Sequence, residues 1–278
     1  MKNQLSVFYE HIVDAQSQTG LPLETVCEKV KGFGFDFVEI DAKRLFAESE
    51  TILPMLERAR LGVNYIYYFF DFGAAGGSPE ADRAAAQRVV DLCGPAKCNK
   101  VLAVTGFLTE AEMDRSGAAY AKRRDAMAAS LGVLIELAAA QGVTVVMEDF
   151  DGDSAPFSTA AELLWFMQNV PGLRCGFDTG NFLYSEEDAA AVLPDFLPYI
   201  SAVHCKDRGW AKNAGEPKIT VGGRAMYPVA VGDGDLDMAG MVRTILDAGY
   251  TGVFAAEHFG SADQLRDMER SAQYLKNL

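Results

Sequence analysis

"ISAVHCKD", Ile200 to Asp207, decides how this chain is read. Small and β-branched residues run directly into a histidine, a cysteine, a lysine and an aspartate. The whole sequence holds three histidines, so one placed where an apolar strand turns polar calls for a reason. Outward from this stretch the same pattern recurs. Short apolar runs occupy Leu5–Glu10, Phe35–Ile40, Val63–Phe70, Lys100–Thr105, Thr144–Glu148, Cys175–Asp178 and Gly252–Glu257, which with Ile200–His204 make eight strand candidates. Amphipathic helical patterns lie between them. Leu23, Val26, Cys27 and Val30 share one helical face. So do Met127, Leu131, Leu134, Ile135 and Ala138, ahead of Gly142, and Leu265, Met268, Ala272 and Leu275 near the end. Thr159 with Glu162 reads as a capping box, and Ser185 as an N-cap before an acidic turn.

Strands that are apolar along most of their length, each followed by a helix, predict a parallel sheet covered by helices. Eight such units in 278 residues match a closed α/β barrel, the (β/α)8 TIM barrel, as a single domain over residues 1–278. A doubly wound open sheet is the competing fold, but no G-x-G-x-x-G opens a helix. One connection is long. Residues 208–237 are rich in glycine and charge and read as a loop inserted within the domain, of the kind that serves as a lid or a binding loop.

Composition narrows the function. The residues are 49% hydrophobic, enough for a large core, and the net charge is −14. A chain this acidic repels polyanions, so neither nucleic acid nor an anionic membrane is expected as a partner. Five cysteines, Cys27, Cys93, Cys98, Cys175 and Cys205, form no C-x-x-C pair, which fits a reducing, cytoplasmic setting. The N-terminal stretch MKNQLSVFYEHIVDAQ lacks the apolar core of a signal peptide, and no apolar run approaches membrane-spanning length.

Reactive groups of a barrel gather at the C-terminal ends of its strands. Four consecutive ends carry a side chain able to bind metal: Glu148 in "TVVMEDF", Asp178 in "CGFDTGN", His204 in "SAVHCKD" and Glu257 in "GVFAAEHF". Strand alternation allows all four to point inward, above Val146, Gly176, Ala202 and Ala255. Three carboxylates at one mouth repel one another, and a divalent ion relieves that. Three oxygens and one imidazole suit Mg²⁺, Mn²⁺, Co²⁺ or Zn²⁺. Alone, His204 would read as a hydrogen-bonded core residue; beside three carboxylates it reads as a ligand. Lys206 should face inward again, toward a substrate oxygen or a carboxylate. Arg208, Lys212, Lys218 and Arg224 are basic groups of the inserted loop that could meet an acidic substrate. His11, just past the first strand, is a further candidate for the pocket. Asp207 and His258 read as structural, Glu39 as a buried paired group ordering the mouth, and "VGDGDLD" as a turn and N-cap.

At these residues the sequence resembles the sugar phosphate isomerase/epimerase family, the xylose-isomerase-like TIM barrels. "GFDFVEI", "MEDF", "FDTGN", "HCKDR", "VGDGDLD" and "AAEHF" occur in the family's order across nearly the whole chain. The resemblance implies a metal held by Glu148, Asp178, His204 and Glu257, with Glu148 and Glu257 also acting as acid and base. It implies an isomerase or epimerase of a small sugar or polyhydroxy ketone, working through an enediolate that the metal stabilises. Many of the epimerases carry a substrate-touching histidine three residues after the metal aspartate. Here Asn181 stands there, able to hydrogen-bond a substrate but not to exchange a proton. Arg208 is the candidate for the epimerases' substrate arginine. A dehydratase of an inosose-like keto-polyol is the alternative within the family. The family's abasic-site endonucleases need more histidines than His11, His204 and His258. A non-catalytic metal- or sugar-binding barrel would be favoured by loss of a carboxylate from one of the four ends, and all four are intact. The expected partner is a small carbohydrate; assembly into a homo-oligomer is left open.

Overall fold

The apolar runs become strands because both of their faces are covered, one by the barrel interior and one by helices. In the structure, a computed structural model describing residues 3–278, eight of them pair in parallel. Residues 1 and 2, which open the span expected as one domain, lie outside the described residues. The strands are β1 (Leu5–Phe8), β2 (Phe37–Asp41), β3 (Gly62–Phe69), β4 (Lys100–Val104), β5 (Thr144–Met147), β6 (Arg174–Asp178) and β7 (Ile200–Lys206). Three short strands follow, β8 (Arg208–Gly209), β9 (Lys218–Ile219) and β10 (Ala225–Pro228), before the last barrel strand, β11 (Phe254–Glu257). The barrel runs β1-β11-β7-β6-β5-β4-β3-β2 and closes where β2 pairs with β1. The fold is therefore the TIM barrel expected from the eight repeats. No helix among the described residues is long and apolar enough to cross a membrane.

The structure departs from the expectation at two places. β1 stops at Phe8, and a helix, Tyr9–Thr19, starts at once, ahead of the helix Leu23–Phe33 that the pattern predicts. Ile12 and Ala15 bury one face of that unforeseen helix, but polar residues dilute its pattern. Ser185 does not cap a helix; it ends a 3₁₀ turn, Asn181–Ser185, and its hydroxyl donates to the Ser158 carbonyl. Asp188 caps the helix Ala189–Phe196 instead, accepting from the Ala190 N–H. The expected capping box is present, with the Thr159 hydroxyl accepting from the Glu162 N–H and Glu162 returning the bond to the Thr159 N–H.

Residues 208–237 are ordered by a sheet of their own, in which β10 pairs antiparallel with both β8 and β9. Asp207 anchors the far end of this segment. Its carboxylate is buried and accepts from the backbone N–H of Arg208 at 2.9 Å, Gly232 at 2.9 Å and Gly234 at 3.0 Å. Asp237 then caps the helix Met238–Asp247. Replacing Asp207 by alanine strands three donors, each costing about 1–3 kcal/mol if left unsatisfied. Asp207→Ala is expected to lower the midpoint of thermal unfolding by several degrees and to open residues 210–236 to limited proteolysis, with Asp207→Asn intermediate.

Candidate metal centre and active-site cavity

His204 stands in the middle of the barrel mouth, fully buried near the end of β7. Its Nε2 lies 3.0 Å from Glu39 Oε2, with the Tyr65 hydroxyl also against it. A carboxylate only accepts, so Nε2 keeps its proton toward Glu39, and Nδ1 is the nitrogen that would give up its proton to a cation on the other side. On that side Nδ1 meets Glu148 Oε2 at 2.6 Å, Glu257 Oε2 at 3.2 Å and Asp178 Oδ2 at 3.8 Å. Glu39 is itself fixed, accepting from Ser6 Oγ at 2.6 Å and Asn64 Nδ2 at 2.8 Å. The buried, paired group that the sequence suggests at Glu39 is thus the carboxylate that orients the histidine.

Asp178 is aimed in the same manner. Its Oδ1 accepts from the backbone N–H groups of Gly180 and Asn181, both at 2.7 Å, which leaves Oδ2 free to face the centre. The turn that supplies those donors presses on β7. A Cβ on Gly180 would lie 2.5 Å from the Lys206 carbonyl oxygen, so only glycine fits. Glu148 follows β5 directly, and Glu257 ends β11. Glu148, Asp178 and His204 each offer an atom within 4.8 Å of the others. Glu148 Oε2, Asp178 Oδ2 and His204 Nδ1 are all buried and close together, yet none is in hydrogen-bonding geometry with a partner. Buried polar atoms normally find partners, and three orphans converging on one point are the donor set a divalent cation would complete. Glu257 joins through Oε2, while its Oε1 pairs with Lys206 Nζ at 2.5 Å.

Burial and mutual proximity shift the titration of all four groups. Burial, then the charges of Glu257 and Asp178, push the Glu148 carboxyl well above its usual range. Burial lifts Asp178 to about 7 despite Lys206. Burial pulls the His204 imidazole down, but Glu39 and Glu257 outweigh it and bring it to about 9. Burial would raise Glu257, yet Lys206 and His204 hold it well below the carboxylate range.

A cavity of about 370 Å³ opens over the centre. Glu148, Glu257, Asn181, Lys206 and Arg208 all line it, as do Phe8, Phe69, Phe150 and Phe259. Asn181 accepts from Lys206 Nζ and donates through Nδ2 to the Asp149 carbonyl at 2.8 Å, so its amide is already committed to holding the lysine. His11 is the correction. The early start of the helix Tyr9–Thr19 turns its ring away from the cavity, where it is fully buried, stacks on His258 at 4.6 Å and accepts from the His258 N–H. His258 is buried and structural, its Nδ1 2.7 Å from Gln264 Oε1. Of the other loop cations only Lys218 lines the cavity; Arg224 stacks on Trp210, and Lys212 is exposed. Two contributions escape the sequence reading. Asp151 lines the cavity from the loop after β5, and Tyr65, Tyr67 and Phe69 point in from β3. Their alternation along "VNYIYYFF" is the signal that could have placed the latter.

A closed eight-stranded parallel barrel with acid and imidazole groups gathered at one mouth defines the class as a TIM barrel of the kind that builds its active site on strand ends. The xylose isomerase-like TIM barrel family model matches residues 27–278, and the chain belongs to that family. No curated protein matches the chain. Among solved structures, a D-allulose 3-epimerase from Methylomonas sp. in complex with D-allulose aligns with a TM-score of 0.74 at 14% identity, covering 100% of this chain and 98% of that one. The probable 3-DHS dehydratase AsbF of Bacillus anthracis aligns at 0.73 and 17%, covering 98% of each chain. A xylose isomerase-like TIM barrel protein from Mycobacterium smegmatis in complex with magnesium aligns at 0.71 and 17%, covering 99% and 95%.

Three outcomes follow from how the imidazole is held. Added Mn²⁺ is expected to raise the unfolding midpoint of the wild-type protein and not that of His204→Ala, read by differential scanning fluorimetry. Glu39→Gln removes the group that sets the tautomer and should weaken Mn²⁺ binding by about 10–100-fold, read by calorimetry. Protons and metal compete for the same atoms, so affinity should climb from pH 6 to pH 9 as Asp178 and His204 lose theirs.

Proposed function

We propose that the protein is a divalent-metal-dependent isomerase or epimerase that moves a proton at a carbon beside a carbonyl. The observation that carries this reading is the convergence of the unpartnered Glu148 Oε2, Asp178 Oδ2 and His204 Nδ1 on one point at the floor of a cavity. Glu148, Asp178, His204 and Glu257 would hold the ion, one of Mn²⁺, Mg²⁺, Co²⁺ or Zn²⁺. When bound, it would polarise a substrate carbonyl and stabilise the negative charge that develops there. Family membership and the solved relatives crystallised with magnesium and with D-allulose support the assignment.

The residues of the chain do the rest. Glu148 comes from β5 and Glu257 from β11, which are separated in the barrel by β6 and β7. The two glutamates therefore approach the cavity from different sectors of the mouth, one to remove the proton and one to return it. Lys206, held by Asn181 and Glu257, presents its ammonium to a substrate oxygen and disperses charge on the enediolate. Asn181 positions that lysine. Arg208 contacts substrate from the rim. Elimination of water is a second reading, favoured by Lys206. A proton donor beside the base could assist a leaving hydroxyl after the same first proton abstraction, as the relation to a probable dehydratase suggests. A small-molecule substrate and a cytoplasmic site of action complete the proposal.

Turnover in D₂O tests it. Deuterium is expected at the carbon next to the carbonyl of a converted ketose. Glu148→Gln and Glu257→Gln should each lower the rate by at least about 10²–10⁴-fold, and the double variant should be little worse than either single one, because both losses interrupt one proton path. Metal content measured on each variant separates a lost base from a lost ion. Near-normal rates in both metal-replete variants would remove the glutamates from the acid–base role.

A further inference from the structure

Arg208 is the least satisfied charge in the cavity. The residue is 3% exposed. Its guanidinium nevertheless makes no hydrogen bond among the described residues. Nε is buried and unpartnered, and Nη2 only approaches Asp151 Oδ2 at 3.6 Å. The same carboxylate lies 3.4 Å from Lys218 Nζ and 3.8 Å from Lys206 Nζ, also without hydrogen bonds. One aspartate thus stands between three cations that it satisfies poorly. Glu216, also in the lining, forms no ion pair with any of them among the described residues. A guanidinium buried to stabilise the fold would have its donors met by the fold, since a buried charge without hydrogen bonds is costly. Five donors in a rigid fork, facing an open cavity, match an incoming carboxylate or phosphate.

The rest of the lining has other chemistry. Phe8, Phe69, Leu102, Val104, Phe150 and Phe259 make up its apolar part, and none carries a side-chain hydrogen-bond group. Phe8 meets Phe259 edge-on at 5.1 Å, and Phe150 meets Phe69 edge-on at 6.2 Å. A polyhydroxylated chain laid on this wall would lose hydrogen bonds to water and gain none in return. An apolar or ring-shaped body gains contact area there.

We infer that the substrate is an organic anion with an apolar or cyclic body: its carboxylate or phosphate pairs with Arg208 and Lys218, its body rests on the phenylalanine wall, and its adjacent oxygens reach the centre at Glu148, Asp178, His204 and Glu257. The inference rests on the proposed metal-assisted proton transfer for the third contact only. Asp151 is the internal counter-ion that the substrate's anion displaces.

Calorimetric binding to the full-length, Mg²⁺-loaded protein separates the two halves of the inference with four probes. 3,4-Dihydroxyphenylacetate carries a ring, adjacent oxygens and a distal carboxylate; 4-methylcatechol lacks the anion. D-fructose 6-phosphate carries an anion on a polyhydroxy chain; D-fructose lacks it. Charge-assisted bonds of this type correspond to roughly 10- to 100-fold in affinity. 3,4-Dihydroxyphenylacetate is expected to bind at least about tenfold more tightly than 4-methylcatechol and than either sugar. Arg208→Gln should erase its advantage over 4-methylcatechol while leaving 4-methylcatechol binding unchanged. A preference for D-fructose, or for its phosphate, over the aromatic acid would overturn the inference. So would an Arg208→Gln variant that weakens the acid and 4-methylcatechol equally. Deuterium exchange into D-fructose without any preference for the acid would sink this inference while the proton-transfer reading stands. Preference for the acid with no exchange on any converted substrate would do the reverse.

Discussion

The His204 imidazole, clamped between Glu39 on one edge and three inward carboxylates on the other, is the constraint on which the rest of the mouth depends. Glu39 decides which nitrogen keeps its lone pair. In the proposed metal site, that choice would set which nitrogen faces the ion. Ser6 and Asn64 serve this arrangement from β1 and β3 by holding Glu39. Groups on β1, β2 and β3 therefore act on one ring carried by β7.

The same economy appears at Asp178. A glycine pressed against β7 lets two backbone N–H groups take one carboxylate oxygen and aim the other. Lys206, whose ammonium pairs with Glu257 and is steadied by Asn181, sets the cationic side of the cavity. The cavity thus brings converging anions, a group of cations and several aromatic rings together at one mouth. A barrel mouth built in this way suits the proposed isomerisation beside a carbonyl, in which a proton and a developing negative charge must be handled together.

Much of this was legible in the linear sequence. Eight apolar runs at βα spacing announce the barrel, because a parallel strand buried on both faces has to be apolar nearly throughout. Acidic or imidazole side chains at four consecutive strand ends announce the convergence of Glu148, Asp178, His204 and Glu257, because the strands of a barrel deliver their ends to one mouth. Glu39 could be read as buried and paired, but its partner could not, since pairing across strands depends on register.

Tertiary structure alone decided the remainder. His11 lies three residues beyond β1 and looked close to the pocket; the immediate turn into a helix sent it to His258 instead. The segment after β7 read as an insertion rich in glycine and charge, and only folding showed which of its cations, Arg208 and Lys218, enter the cavity and which stack or stay exposed. Asp151 carried no sequence signal of its own, because its role comes from three cations brought to it by β7 and the inserted sheet. The sequence by itself determined which strands form and which residues stand at their ends, since burial and periodicity act locally along the chain. Which polar atoms meet across the barrel, and which are left without partners, depended on strand register and loop path, quantities that exist only once distant segments have packed.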